Sequence, residues 1–547
     1  MAGFAKFRGW RPRYAAVFGA LLGGLLVTAP AWGAPSIARL VTTTGSESPR
    51  ATAAGPPARV LLIGDSVMDQ QGNPAAFVLR QAGVDARAEG WWGTSLLTTD
   101  QYDFGHSKLD GGWLKEARHQ VDTFDPQVVA VYLNHNYFPP HPHDAAGRPI
   151  EDLWSPSGQT MLHQQVLTLL AILRSRGAQV LFVTPIPAGA SRASPDPNVW
   201  DPIWHGYLPV LRAFHVPIID AGHALAAPDG HRTETKPDCS GAPTLVRPPA
   251  NLHQTRFGAS LTGTVDAQYI ARVVHVSLRD DVAPGDRTVA LVPSPASGYW
   301  LVGCDGSVYR FGGAATVAGA HSRVVGHGGV VGATATASGH GLWLVAADGT
   351  IVPVGDAPRI AFTARPSTRL AAITATPAHT GLLAVGTNGA VYAAGHARVL
   401  GGISRLAHAP VVGFTATPDG KGYWIAGRDG GIFSFGDARF FGSMGGVKLQ
   451  GAIAGIASTP DGRGYWLVGA DGGIFSFGDA HYWGNGRWTR PAYPNNLFTA
   501  APGPTVAIVA APGARQGYWT LADTGRVTNH GGASGSAGDN NLALNTQ

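Results

Sequence analysis

Charge is scarce in this chain: Asp, Glu, Lys and Arg together make up 14% of 547 residues. Cysteine and methionine are scarcer still, with 2 and 4 copies. So few charges argue against a disordered polyelectrolyte, and two cysteines exclude both a disulfide-dense scaffold and a cysteine-rich zinc site. Beyond residue 33 no apolar run is long enough to span a membrane as a helix. The formal charge of +5 is concentrated at the start, where Lys6, Arg8, Arg11 and Arg13 precede an apolar stretch and residues 1–33 hold no acid. The rest is close to neutral, so no basic footprint for nucleic acid remains. His135, His141 and His143 lie near one another, but no carboxylate or cysteine joins them at ligand spacing. No metal and no other cofactor is expected.

Glycine and proline are abundant, at 75 and 40 residues, and there are 15 Trp. This is the composition of a turn-rich, β-rich protein, and the length implies two or three domains. Residues 1–33 read as a secretory signal, with a basic start, an apolar core from Tyr14 to Ala29, and small residues Ala31 and Gly33 around a cut after Gly33. The expectation is a secreted or cell-surface protein. An uncleaved signal is the alternative, and the one route to a membrane. Residues 34–57, rich in Ala, Ser, Thr, Pro and Gly, read as a linker.

From 58 to 280 strands and helices alternate. Val60–Ile63, Val84–Ala88, Gln127–Leu133, Ala178–Thr184 and Val216–Asp220 read as strands. Helices are predicted from Asn73-Pro74 to Gly83 and over Gly112–Phe124, Gln159–Arg176, Asp201–Phe214 and Gly258–Val274. This order implies a parallel sheet covered on both faces, an α/β three-layer sandwich of flavodoxin-like kind. The stretch 221–251 is long for a loop and is expected to border the site. From 286 to 530 an anchor recurs: Gly298-Tyr299-Trp300, Gly341-Leu342-Trp343, Gly381-Leu382-Leu383, Gly422-Tyr423-Trp424, Gly464-Tyr465-Trp466 and Gly517-Tyr518-Trp519. Three or four short strands per repeat of this length suggest a six-bladed β-propeller, with a β-solenoid or a pair of smaller units as competing geometries. Residues 531–547 read as a flexible tail.

The chemistry gathers at strand ends. Ser66 follows the first strand directly, in Gly64-Asp65-Ser66. Gly93, beside Trp91 and Trp92, follows the second strand. Asn136, in Asn134-His135-Asn136-Tyr137, follows the third, and His253 precedes the last helix. One end of one parallel sheet could gather all four. That would supply a nucleophile, a base and oxyanion donors for acyl transfer. Trp91, Trp92 and Tyr137 are candidates to line the substrate mouth, although core packing is the plainer reading of the two tryptophans.

At these residues the chain resembles the SGNH (GDSL-like) hydrolases over roughly 58–278. The resemblance implies Ser66 as nucleophile, His253 as base, and an oxyanion hole from the Ser66 and Gly93 N–H groups and the Asn136 amide. Gly90 is a poorer match than Gly93. The chain also departs from the family in two places. The Gly and Asp of the third block are absent. In the last block, the family's Asp-x-x-His reads Ala250-Asn251-Leu252-His253, so Ala250 holds the acid position.

Three outcomes stay open: a Ser66–His253 dyad oriented by a backbone carbonyl, a substitute acid such as Asp238 or Asp229, or a degenerate domain that only binds. By the resemblance the substrate is an acylated glycan, such as a cell-envelope polysaccharide, or a small ester. Water as the acceptor gives an esterase, and a sugar hydroxyl gives an acyltransferase. A non-catalytic glycan-binding or adhesion protein is the alternative. The repeats resemble propeller-like repeats of secreted actinobacterial proteins, which implies a scaffold or binding module.

Cys304 stands where later repeats hold Ala347, Thr387, Arg428 and Ala470. A position that accepts Arg428 is expected to be exposed, leaving Cys304 free to meet Cys239 in the long loop. A disulfide between the domains beside the site is the expectation, with two unpaired thiols as the alternative.

Overall fold

The computed structural model describes residues 56–91, 112–133, 155–184, 202–226, 233–247, 254–278, 287–295, 298–403, 409–485, 504–511 and 517–533. The chain divides into two compact units, 1–55 and 56–547, and every described residue lies in the second.

The first half is built on five parallel strands: β1 Arg59–Gly64, β2 Asp85–Gly90, β3 Val128–Tyr132, β4 Gln179–Val183 and β5 Ile218–Ile219, in the order β2-β1-β3-β4-β5. Side chains alternate between faces, as strand geometry demands. Leu61, Ile63, Val129, Val131, Val180 and Phe182 enter the core under helices α2 (Trp113–Phe124), α3 (Pro156–Leu173) and α4 (Pro202–Ala213). Val60, Leu62, Val128, Ala130, Leu181 and Val183 enter the opposite core, under α1 (Ser66–Gln81) and α5 (Arg256–Val273). Both faces are covered, which is why the central strands are apolar throughout. Ser155 caps α3 by accepting from the Gly158 N–H at 3.1 Å, with Pro156 in the first turn.

Two expectations need correction. Helix α1 does not open at Asn73-Pro74; it starts at Ser66 and carries Pro74 inside. Proline there removes one backbone hydrogen bond, but tertiary packing outweighs the loss. Pro74 is buried, and Gly263 of α5 comes so near that a Cβ on it would lie 2.6 Å from the Pro74 Cβ. The stretch 221–251 is also not one open loop. It contains a 3-10 turn, Gly222–Leu225, and an antiparallel pair, β6 Thr235–Pro237 and β7 Pro243–Leu245.

The second half contains six three-stranded antiparallel sheets among the described residues. Each recurring anchor is a middle strand: Tyr299–Gly303, Gly341–Ala346, Gly381–Gly386, Gly422–Gly427, Gly464–Gly469 and Gly517–Ala522. These strands are buried along nearly their whole length. First strands of successive sheets pack on one another, and Thr505–Ala510 packs on Thr288–Pro293. Leu291, Tyr299, Trp519 and Leu521 share one cluster, and the Thr288 N–H donates to the Asp523 carbonyl at 2.7 Å.

Repeated polar contacts explain the repeated residues. The anchor indole N–H groups of Trp300, Trp343, Trp424 and Trp466 donate to the carbonyls of Ala315, Pro358, Arg439 and His481. The Tyr423, Tyr465 and Tyr518 hydroxyls donate back to the carbonyls of Gly401, Gly442 and Gly484 of the preceding repeat. The same hydroxyls accept from the N–H groups of Leu400, Phe441 and Trp483. Each is thus a two-sided clasp between neighbouring sheets, and burial raises the phenol pKa.

Cys239 and Cys304 are joined by a disulfide with Cα atoms 5.9 Å apart. In the chain-entropy account, closing a loop of this 65-residue separation stabilises the folded state by about 4 kcal/mol. Cys304 is buried, at 4% exposure, not exposed as its repeat position implied. The turn carrying Cys239 lies over it: a Cβ added to Gly329 would meet both the Cys239 and the Cys304 carbonyl oxygens.

Tyr465→Phe removes one donor and one acceptor at a buried tyrosine, and should destabilise the repeat half by about 1–2 kcal/mol. Denaturant midpoints read this directly, with Tyr482→Phe as the control, at an exposed tyrosine whose hydroxyl accepts from the Asn485 side-chain amide at the surface. Equal midpoints for the two variants would show that the clasp contributes nothing.

Candidate active site

The site begins where β1 stops. Gly64 is paired with Tyr132 of β3, and a Cβ on Gly64 would collide with the Tyr132 carbonyl oxygen and lie 2.6 Å from the Met68 Cβ. Only glycine fits this approach. Asp65 is completely buried, and its N–H donates to the Tyr132 carbonyl at 3.3 Å. The chain then turns directly into α1, so Ser66 is the first residue of a 16-residue helix. The first N–H groups of a helix have no acceptor within it and carry the positive end of its dipole.

In a sheet of this order the chain leaves β1 and β3 in opposite directions, which opens a crevice beyond their carboxyl ends. Ser66 follows β1 at that point, and the segment holding Asn136 follows β3. Asn136, Gly93, His253, Asp229, Trp92 and Tyr137 lie outside the described residues; Ser66 is placed by its backbone.

The residues on either side of the segment that holds His253 are pinned together. The Thr255 N–H donates to the Val246 carbonyl at 2.9 Å, and its hydroxyl donates to the Leu245 carbonyl at 2.6 Å. The same hydroxyl caps α5, accepting from the Gly258 N–H at 3.2 Å. Gly258 is pressed on the Val246 carbonyl, where a Cβ would collide. The Gln254 side chain accepts from the Thr262 hydroxyl. Val246 and Thr255 therefore meet at one place, the head of α5.

Two sequence candidates take other roles. Trp91 does not line a substrate mouth. It is 6% exposed and its ring meets Trp113 edge-on at 4.7 Å inside the core under α2. Asp238 organises the turn between β6 and β7. Its carboxylate accepts from the Ser240 N–H and hydroxyl, the Ala242 N–H and the Thr244 hydroxyl. Burial pushes its pKa up, but these hydrogen bonds outweigh that and hold it below the ordinary value.

A buried pair beneath the crevice was not anticipated. The Tyr132 hydroxyl donates to Asp266 Oδ2 at 3.1 Å, and both residues are buried. Asp266 Oδ1 has no hydrogen-bond partner among the described residues. Burial raises the Asp266 pKa well above the usual carboxylate range, against the opposing hydrogen bond from Tyr132. Burial, then the Asp266 charge, raises Tyr132 as well. The signal was present in the sequence: Asp266 falls on the same helical stripe as Ala259, Gly263 and Ile270.

The fold is therefore that of an open, doubly wound α/β protein whose strand order reverses between β1 and β3. Residues 59–265 match a protein family of unknown function, DUF459. No curated protein matches the chain. Among solved structures, a Bacteroides fragilis protein described as an acylhydrolase is 15% identical, over 40% of this chain and 91% of its own, with a TM-score of 0.27. A GDSL-like lipase of Bacteroides thetaiotaomicron is 12% identical, over 41% and 92%, at 0.25. A β-propeller domain from Myceliophteria thermophila is 12% identical, over 44% and 82%, at 0.30. Identity and scores this low transfer no activity.

Asp266 keeps its proton in the folded state at pH values where an unfolded Asp, near about 3.9, has lost it. The folded state then binds more protons, so stability falls as pH rises from that value through the raised folded pKa. Asp266→Asn keeps an acceptor for Tyr132 and removes the ionisation. Above about pH 4, where an unfolded Asp has ionised, the wild-type unfolding midpoint should fall more steeply with rising pH than that of the variant. Parallel pH profiles would show that Asp266 ionises freely.

Proposed function

We propose that residues 58–280 form a serine-dependent esterase acting on O-acylated glycans, exported and joined to a closed six-bladed β-propeller. The observation that carries the catalytic reading is the position of Ser66: first residue of a helix, just after β1, an interior strand, at the point where the strand order reverses between β1 and β3. His253 takes the Ser66 proton as the hydroxyl attacks the ester carbonyl. The Ser66 and Gly93 N–H groups and the Asn136 amide hold the oxyanion. The alcohol leaves with the proton from His253, and water resolves the acyl-enzyme through the same base. A sugar hydroxyl in place of water gives acyl transfer. With Ala250 in the acid position and Asp238 engaged in its turn, a backbone carbonyl or Asp229 is the orienting group behind the imidazole. The propeller reading is supported by the succession of sheets and by the packing of the last on the first.

Ala250 also favours a second reading, a glycan-binding protein whose hydrolase domain has lost its chemistry. Hydrolysis of a short-chain aryl ester and of an acetylated sugar separates the two. Ser66→Ala and His253→Ala should each lower kcat/KM by at least ~10³-fold. Activity surviving in His253→Ala alone would assign a different base. No turnover above the Ser66→Ala background on either substrate would replace the esterase with the binder.

A further inference from the structure

Among the described residues, two contacts join the first sheet of the repeat half to the α/β half, and both lie on elements that lead to the site. The first is Phe77 on α1, the helix that begins with Ser66. Its ring meets Tyr309 edge-on at 5.1 Å and Phe311 at 6.4 Å. Phe77 packs at once against the α1–α5 core and against the cluster between the first and last sheets, which holds Leu291, Tyr299, Tyr309 and Trp519. The second is the Cys239–Cys304 disulfide. It holds the β6–β7 pair, and β7 runs into Leu245 and Val246, the residues that Thr255 grips at the head of α5. Asp238, beside Cys239, stiffens the turn with its hydrogen bonds.

We infer that the first repeat is a working part of the catalytic unit: it fixes the helix of the nucleophile and the approach to the segment of the base on one rigid body. Phe77 and the Cys239–Cys304 bridge are positioning residues for Ser66 and His253. This rests on the esterase reading. Serine–histidine chemistry needs its two partners within hydrogen-bond reach, and a small misplacement lowers the turnover of bound substrate by up to about 10²-fold. Cutting the bridge frees β6–β7 while α1 stays in place, so the loss falls on kcat. A dithiol supplies two electrons and two protons, converts the bridge into two thiols and becomes a cyclic disulfide itself.

The test uses the full chain and two readouts. One is kcat and KM on the aryl ester for wild type, wild type reduced by a dithiol after folding, Cys239→Ser/Cys304→Ser, Phe77→Ala and Phe77→Leu. The other is amide hydrogen exchange. Reduction and the double Ser variant should each lower kcat about tenfold with KM within about twofold, and the dithiol should not affect the double variant further. Phe77→Ala should lower kcat, and Phe77→Leu should restore most of it. Exchange should quicken at least about tenfold over 235–247 and the first turn of α5, and remain unchanged in α2 and α3. Unchanged kcat with unchanged exchange overturns the inference, as does an equal loss in α2 and α3, which would be general unfolding. If the wild type hydrolyses no ester, the esterase reading fails by itself. Exchange then decides the coupling: selective quickening supports it, and none overturns it.

Discussion

The approach of Gly64 to Tyr132 is the constraint on which the site depends. Two neighbouring parallel strands end together, and one must stop without a side chain so that the backbone can turn into a helix. The Asp65 N–H then bonds to the same carbonyl that excludes a Cβ at Gly64. Ser66 is thereby delivered to the head of α1 by main-chain geometry, independent of its own side chain.

Around this point the fold uses close approaches more than charge. Gly263 lets α5 press on Pro74 of α1, and Gly258 lets the head of α5 press on Val246. The buried pair of Tyr132 and Asp266 joins β3 to α5 by a hydrogen bond, and burial favours the uncharged form of both groups. In the second half the same economy recurs: the indoles and phenols of the buried anchors supply hydrogen bonds that repeat from sheet to sheet. Where the third repeat substitutes Leu382 and Leu383 for the aromatic pair, the described residues instead show a bridge between Phe362 and Ala394.

Much of this was legible in the chain. Apolar runs such as Gln127–Leu133 identify buried strands because a sheet covered on both faces leaves no polar side. The recurring Gly-Tyr-Trp marks middle strands because those are flanked by partners and buried on both faces. The place of Ser66 was legible through Gly-Asp-Ser at a strand end. What escaped were the features that local signals misreport. Asn73-Pro74 is a strong helix-start signal, overridden by packing against Gly263, far along the chain. Arg428 suggested an exposed position, but Cys304 is covered by a turn from the other half. Trp91 was open to both a surface and a core role until Trp113 took its ring.

The sequence by itself determined the alternation of strands and helices, the sixfold repeat and the place of the serine. These follow from side-chain periodicity and turn chemistry, which act over a few residues. Tertiary structure alone decided that Tyr132 meets Asp266, that Cys239 reaches Cys304 and that Phe77 packs on two cores at once. Each of these joins segments far apart in the chain, and their meeting is set by how layers stack, a property that no local pattern encodes.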